Sequence, residues 1–219
     1  MEEETQKTSI LVSQGRKFPN GFSSNGLKEK ELDLDGDGEK ELLLTSLSAS
    51  GPQAALVDLI DSSKALSNIF NFSTDNFSEE VSFKAEEAPE LYQITDLNKN
   101  GKKELIFDLK NYGAYTSTYG VVIFAGGKLD FLMVFEANGS SHPAIFRDGA
   151  SVRNAEVFKI LEDKKALVQV SGIGDNEGNW TWDVRAYAWS GEKYVFNSAL
   201  SAEILKEQPK KIINGEPVF

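Results

Sequence analysis

The chain alternates short apolar runs with polar turns, and this pattern predicts strands along most of its length. The runs are rich in β-branched and aromatic residues, which favour a pleated backbone. The predicted strands are Ile10–Val12, Glu41–Ser46, Ala54–Ile60, Glu104–Phe107, Tyr119–Phe124, Leu129–Phe135, Leu167–Val170 and Trp182–Trp189. One short helix is predicted at Ala202–Glu207, where Pro209 ends it. We therefore expect an all-β protein with little helix.

Two landmarks recur at a nearly constant spacing, which indicates an internal repeat. One is a leucine that opens an apolar strand after a polar turn, and the other is a lysine in a tight hairpin. The positions are Leu42, Leu105 and Leu167 for the leucine and Lys64, Lys128 and Lys193 for the lysine. The intervals between the leucines agree closely with those between the lysines. Because the two landmarks are independent, they predict three units with a period of about 63 residues.

The repeat predicts one β-repeat domain over residues 1–219, with an N-terminal tail and strand at 1–28. The three units are expected at about 29–91, 92–158 and 159–219. Each unit would contain about four strands, which resembles a propeller blade. Closed propellers typically need about four to eight blades. Three units therefore leave two architectures open: propeller-like blades, or an open β-array or sandwich.

A carboxylate-rich loop precedes the first strong strand. It reads DLDGDGEKEL from Asp33 to Leu42, with acids at alternate positions and Gly38 at the bend. A hard cation such as Ca²⁺ takes six to eight oxygen ligands at short range. The expected ligands are the side chains of Asp33, Asp35, Asp37 and Glu41 and the backbone carbonyl of Glu39. The loop is therefore a candidate calcium site with a structural role.

A second loop repeats the spacing before the next unit. It reads DLNKNGKKEL from Asp96 to Leu105. The expected ligands are the side chains of Asp96, Asn98, Asn100 and Glu104 and the carbonyl of Lys102. Two neutral amides replace two acids of the first loop, so we expect calcium to bind more weakly here. The third unit begins with a shortened turn that lacks the alternating oxygens.

The position of the last acid separates these loops from an EF-hand. An EF-hand loop needs a bidentate acid at its twelfth position, which is Leu44 in the first loop and Phe107 in the second. The acid lies at the ninth position instead, and a strand follows. The D-x-D-x-D-G-x-x-E pattern resembles the calcium loops of FG-GAP/VCBS-type repeats. That resemblance implies an integrin-like or bacterial exported surface protein with an adhesive role.

The charge of the chain limits its partners. The net charge is −11 and the pI is about 4.7, so nucleic acid is not expected as a partner. No apolar run is long enough to span a membrane, and the absence of cysteine rules out disulfides and thiolate chemistry.

The acidic start at Met1 leaves two alternatives, a cytosolic protein or one whose export or lipoprotein signal has been removed. We favour the second, with a periplasmic, secreted or lipid-anchored location.

Aromatic residues beside polar ones mark two candidate binding loops. Flat aromatic faces stack on ligands while amides and carboxylates fix their orientation. The candidate residues are Tyr112, Tyr115 and Tyr119 in the second unit and Asp175, Asn176 and Trp180 in the third. If the repeat is real, both loops lie on one side of the array. We therefore expect a non-enzymatic protein that binds a protein or glycan through this face.

An enzyme is the alternative hypothesis, either a carboxylate-dependent hydrolase or a calcium-dependent enzyme on a β scaffold. The chain has one histidine, His142, in a polar turn beside serines. Adjacency in sequence does not give the geometry of a catalytic triad, so a surface role is favoured for this histidine. A concave pocket with converging acids away from the metal loops would favour the enzyme.

Overall fold

The computed structural model describes residues 18–34, 37–72, 87–109, 116–213 and 216–218. Within these residues the protein is mostly β, as the sequence predicts, with one helix. The chain divides into two compact units. Unit 1 contains residues 1–111 and 121–131, and unit 2 contains residues 112–120 and 132–219.

Unit 1 is built on a four-stranded antiparallel sheet in the order β1-β2-β3-β4. The strands of this sheet are β1 (Lys28–Leu32), β2 (Glu41–Ser48), β3 (Gly51–Asp58) and β4 (Phe70–Asn71). The unit also contains the antiparallel pair β5 (Glu90–Thr95) and β6 (Glu104–Asp108). A hairpin joins the second half of β7 (Thr116–Ala125) to β8 (Lys128–Phe131).

Two groups of buried side chains hold unit 1 together. Leu27, Leu42, Leu44 and Val57 form an aliphatic cluster on the β1–β4 sheet. Four phenylalanines form an aromatic cluster: Phe70, Phe72, Phe107 and Phe131. Their rings meet edge to face at centroid distances of 4.8 to 5.9 Å, an arrangement that aromatic quadrupoles favour. The aromatic cluster ties β4, β6 and β8 into one core.

Unit 2 is built on a sheet in the order β10-β9-β15-β14-β13-β12-β11, followed by the first half of β7. The strands are β9 (Met133–Phe135), β10 (Ser141–Pro143), β11 (Ile145–Ala150), β12 (Asn154–Leu161), β13 (Ala166–Gly174), β14 (Trp180–Trp189) and β15 (Tyr194–Phe196). The pairs are antiparallel except β15 with β9, which is parallel. Helix α1 (Ser198–Lys206) and the hairpin of β16 (Lys211–Ile213) and β17 (Glu216–Val218) complete the unit.

The two faces of the unit 2 sheet carry different residues, because side chains alternate along each strand. One face packs against α1 and is apolar: Val168, Val170, Val184, Ala186, Leu200 and Ile204 form its buried cluster. The other face carries Gln169, Arg185 and Tyr187, since Gln169 and Arg185 are cross-strand partners. We call these the helix face and the polar face.

Three predicted elements differ from the structure or lie beyond it. The helix begins at Ser198, earlier than predicted, because the side chain of Asn197 caps it by accepting a hydrogen bond from Leu200 N–H at 2.9 Å. The predicted strand Leu129–Phe135 is two strands, because β8 pairs with β7 whereas β9 pairs with β10 and β15. The predicted strand Ile10–Val12 lies outside the described residues.

Candidate metal loops and ligand-binding hairpin

The first candidate metal loop, residues 33–41 (loop 1), connects β1 to β2. Leu34 N–H donates to Glu41 Oε2 at 2.8 Å, so the last acid of the loop folds back to its start. Gly38 has a φ of +89°, which a Cβ would strain, and its N–H donates to Asp33 Oδ2 at 3.2 Å. Glu39 N–H donates to Asp37 Oδ1 at 2.7 Å. Asp35 lies outside the described residues.

The second candidate, residues 96–104 (loop 2), connects β5 to β6 and makes the same three hydrogen bonds at counterpart positions. Leu97 N–H donates to Glu104 Oε2 at 2.9 Å, and Gly101 N–H donates to Asp96 Oδ2 at 2.9 Å. Lys102 N–H donates to Asn100 Oδ1 at 2.8 Å. Gly101 has a φ of +84°, close to that of its counterpart in loop 1. In their described residues the two loops therefore share a framework of three hydrogen bonds and one glycine bend.

In loop 2, donors of the loop itself also make hydrogen bonds to its acids. Asn98 Nδ2 donates to Glu104 Oε1 at 2.7 Å, and Glu104 is only 2% exposed. Asn98 Oδ1 and Asp96 Oδ1 both accept from Asn100 N–H, at 3.0 and 2.9 Å. An amide donor of the loop therefore lies against its buried carboxylate.

The acids of loop 1 are more open to solvent. Asp37 is exposed, and Asp33 and Glu41 are half-buried. An ionised carboxylate has about four acceptor positions, so the hydrogen bond from Leu34 N–H leaves Glu41 able to bind a cation as well. In the described part of the chain, no group of three or more His, Cys, Asp and Glu side chains is placed to hold a metal. Loop 1 is described without Asp35, the central acid of its expected ligand set.

A lysine from loop 2 reaches loop 1 inside unit 1. Lys103 Nζ donates to the backbone carbonyl of Asp33. The ammonium group therefore lies beside the first residue of the acidic loop, although the two residues are 70 positions apart. No motif in the sequence links them, so sequence reasoning missed this contact.

The ligand-binding residues predicted in the third unit lie in the β13–β14 hairpin of unit 2. The carboxylate of Asp175 closes the hairpin tip by accepting from Glu177 N–H, Asn179 N–H and Asn179 Nδ2, each at 2.8 Å. Hydrogen bonds from the Asn179 side chain and backbone keep the pKa of this carboxyl below its usual value. Asp175 and Asn176 are exposed, and Trp180 is half-buried at the start of β14.

Trp180 lies on the helix face with Trp182, and the two indoles stack with centroids 5.2 Å apart and planes at 19°. Tyr119 lies on the opposite, polar face. Its ring packs at 5.5 Å on Phe158, which is the cross-strand partner of Gln169. The structure therefore does not bring Tyr119 and Trp180 together. Tyr112 and Tyr115 lie outside the described residues.

The hairpin borders an open pocket of about 640 Å³ in unit 2. The pocket is lined by Val152, Arg153, Gly174, Asp175, Asn176, Glu177, Gly178, Trp180, Lys211 and Ile212. Strand β16 forms one wall, because Trp180 N–H donates to Lys210 O at 2.9 Å and Ile212 N–H donates to Gly178 O at 2.9 Å. Sequence reasoning missed the contributions of Arg153 and Lys211, since neither lies in a motif.

The single histidine belongs to a hydrogen-bonded cluster on the polar face. Glu136 Oε1 accepts from Tyr187 OH at 2.7 Å and contacts His142 Nε2 at 3.0 Å and Arg185 Nη1 at 3.2 Å. Burial opposes ionisation of Glu136, but the hydrogen bonds from Tyr187 and His142 and the charge of Arg185 outweigh it and lower its pKa. Burial and then Glu136 raise the pKa of Tyr187, which is 2% exposed. Tyr187 is therefore neutral, and its hydroxyl donates a structural hydrogen bond to Glu136.

Comparison of the chain with protein-family models, curated proteins and solved structures finds no match in any of the three. Among the described residues, no helix has both the length and the apolar character needed to cross a membrane.

Proposed function

We propose that this chain is a non-enzymatic, calcium-stabilised β-repeat protein that works outside the cytoplasm and binds a protein or glycan. The observation that carries the proposal is the framework shared by loops 1 and 2. The same three hydrogen bonds run from counterpart donors to counterpart side-chain oxygens in both loops. These shared hydrogen bonds support a calcium loop in both places, with tighter binding in loop 1 because it has more acids.

Calcium would be held in loop 1 by carboxylates and one carbonyl. The proposed ligands are the side chains of Asp33, Asp35, Asp37 and Glu41 and the carbonyl of Glu39. Without a cation these like charges repel one another and oppose the turn. A bound cation would neutralise them and stabilise the fold by mass action. Loop 2 would bind more weakly through Asp96, Asn98, Asn100, Glu104 and the Lys102 carbonyl, because Asn98 Nδ2 already donates to Glu104.

The order of strands supports three repeats. In each proposed repeat a strand, a turn, a second strand and a third strand follow one another. The triplets are β1, β2 and β3; β5, β6 and β7; and β12, β13 and β14. A tight turn follows the third strand each time and leads to a short pairing segment: Ala65 with Val57, β8 with β7, and β15 with β14. We propose that these triplets are the repeating units.

The proposed binding face is the β13–β14 hairpin of unit 2. An exposed polar tip and a half-buried indole line one pocket there, and such pockets bind ligands by combining apolar contact with a few placed polar groups. Tyr112 and Tyr115 remain predictions for this face. Weak calcium loops are useful where calcium is millimolar, and this favours the proposed extracytoplasmic location.

Calcium titration followed by calorimetry and thermal unfolding tests the proposal. We expect one site with a dissociation constant of roughly 10⁻⁴ to 10⁻³ M, the range of extracellular modules, and a second, weaker site. The melting temperature should rise with calcium and fall with a chelator, while the β spectrum at room temperature stays unchanged. The absence of both binding heat and a thermal shift at several millimolar calcium would refute the proposed role of the loops.

A further inference from the structure

Two glycines make room for the stacked tryptophans of the hairpin. Gly174 is the cross-strand partner of Trp180, and Gly172 is the partner of Trp182. A Cβ at Gly174 would lie 2.9 Å from the Trp180 ring, and one at Gly172 would overlap the Trp182 ring. Glycine is needed at both positions for space, and it lets each indole lie across the neighbouring strand. We call this stacked pair the platform, and Trp180 is the member that lines the pocket.

The pocket beside this platform carries charges of both signs in equal number. Arg153 and Lys211 supply two cations, Asp175 and Glu177 supply two carboxylates, and Asn176 adds an uncharged amide. The carboxylate of Asp175 is engaged in holding the hairpin tip. Glu177, Arg153 and Asn176 are exposed. The pocket therefore offers donors and acceptors without a net charge.

This combination matches the chemistry of a sugar. Each hydroxyl group both donates and accepts a hydrogen bond, so a polyol needs donors and acceptors in the same pocket. One face of a pyranose ring presents C–H groups, which are attracted to the negative face of an indole. Because the two cations and two carboxylates of the pocket balance, a ligand with a net negative charge gains no overall electrostatic attraction there.

The size and shape of the pocket favour a small ligand over a protein surface. Its volume of about 640 Å³ falls within the roughly 300–1,000 Å³ of small-molecule pockets. Val152 is 92% exposed at its rim, and Ile212 also lines it. These apolar groups can cover the C–H surface of a second ring.

We propose that this pocket binds a neutral oligosaccharide, with one sugar ring against Trp180 and its hydroxyl groups on Glu177, Asn176 and Arg153. The inference rests on the proposed binding face and names the class of its ligand. It does not require calcium in the pocket, because loop 1 and loop 2 belong to unit 1.

A glycan array with neutral, uronic-acid-containing and sialylated oligosaccharides tests the inference. The full chain is probed in millimolar calcium, and the strongest binder is then titrated by calorimetry and tryptophan fluorescence. Two of the three tryptophans of the chain form the platform, so a fluorescence change that persists in Trp189→Phe reports on it. We expect neutral oligosaccharides to bind and Trp180→Ala to weaken them at least tenfold. Trp180→Phe, which keeps an aromatic face, should lose less.

A matched control separates loss of contact from loss of fold. Trp189 lies on the same strand but packs on Tyr194, with centroids 5.1 Å apart and planes tilted by 59°, and it is not a pocket-lining residue. Trp189→Phe should leave sugar affinity unchanged. Glu177→Gln should weaken binding about threefold, whereas Glu162→Gln, in the exposed turn between β12 and β13, should have no effect. Thermal unfolding of each variant identifies any that fail to fold.

Three results would overturn the inference. The first is binding of acidic glycans alone, the second is the absence of any glycan binding, and the third is full affinity in a folded Trp180→Ala variant. Each would leave the calcium titration unaffected. A positive calcium shift with no glycan binding would therefore refute the ligand class while keeping calcium-stabilised folding. Glycan binding without a calcium shift would support the ligand class and refute calcium-stabilised folding.

Discussion

Loops 1 and 2 share three hydrogen bonds from backbone N–H groups to side-chain oxygens, but their acids have different surroundings. Loop 2 satisfies its buried acid, Glu104, with the amide of Asn98 at 2.7 Å. In loop 1 the counterpart acid, Glu41, is half-buried, and Asp37 is exposed. Loop 2 also contains three lysines, whereas loop 1 contains one lysine and five acids. The same three hydrogen bonds therefore occur in a turn whose buried acid accepts from an amide of the loop and in a more acidic turn.

Hydrogen-bond geometry alone therefore does not define a metal loop. The three shared hydrogen bonds orient side-chain oxygens, and the remaining side chains determine what else contacts those oxygens. In loop 2 the neutral amide of Asn98 donates to the buried carboxylate. In loop 1 we expect a bound cation to contact the acids instead. Variants that exchange these two solutions test the comparison directly.

The largest expected effect is at the last acid of each loop. Glu104→Ala leaves two donors without their acceptor, Leu97 N–H and Asn98 Nδ2, in a buried site. Each buried unsatisfied group costs about 1–3 kcal/mol, so the free energy of unfolding should fall by about 3 kcal/mol. Urea unfolding in the presence of a chelator measures it.

The matched variant is Glu41→Ala, which deprives Leu34 N–H of its acceptor at a half-buried position. It should cost about 1 kcal/mol under the same chelating conditions. An equal loss of unfolding free energy in the two variants would mean that both acids depend equally on hydrogen bonds within their loops, which contradicts the proposed difference between loops 1 and 2.

The second prediction converts loop 2 toward loop 1. Asn98→Asp replaces the amide donor with a carboxylate beside Glu104, and Asn98 is only 6% exposed. Lost hydrogen bonding and like-charge repulsion should destabilise the protein by about 2 kcal/mol in chelator, and calcium should restore part of the loss. Asn100→Asp, at an exposed position of the same loop, is the control and should cost much less. An unchanged melting temperature of Asn98→Asp in chelator would contradict the proposed role of the Asn98 amide.

The sequence predicts the parts of this comparison that are local. The alternating oxygens, the glycine at the bend and the ninth-position acid are visible in DLDGDGEKEL and DLNKNGKKEL, and the β-rich fold follows from the apolar runs. The contacts that join distant positions are not visible. Lys103 reaches Asp33 across 70 positions. Arg153 is next to the pocket because its carbonyl accepts from Gly174 N–H at 2.8 Å, and Lys211 is there because β16 packs on the hairpin.

Strand parity explains the placement of the aromatic residues. Tyr119 and Trp180 look alike in sequence, since both are aromatic residues near polar loops. Alternation along paired strands places Trp180 on the helix face and Tyr119 on the polar face. A sequence without known strand register cannot supply this information, because a shift of one residue reverses every face.

The third prediction separates calcium binding from hydrogen bonding. Asp37 accepts from Glu39 N–H, and its counterpart Asn100 accepts from Lys102 N–H. Asp37→Ala and Asn100→Ala therefore remove equivalent hydrogen bonds. At a tenfold excess of calcium over the dissociation constant, binding stabilises the fold by about 1.4 kcal/mol. Asp37→Ala should lose most of this increment, measured as the difference in melting temperature with and without calcium.

The control variant, Asn100→Ala, should keep the increment, because loop 1 is intact. If both variants kept the full calcium response, the stabilising ion would bind elsewhere. If both lost it, the two loops would act as one site.

The smallest effect is expected at the lysine that joins the two loops. Lys103 is half-buried, and its ammonium donates to the Asp33 carbonyl beside the proposed calcium ligands. A positive charge there repels a divalent cation, so Lys103→Met should increase the calcium affinity of loop 1 by about threefold, an effect reduced by salt. Loss of the hydrogen bond should also cost about 1 kcal/mol of stability in chelator. The control is Lys102→Met, which removes the same charge from an exposed neighbour and should change affinity less. Calorimetry at two salt concentrations measures both variants, and an affinity that falls in Lys103→Met would mean that the lysine orders loop 1 for calcium rather than opposing it.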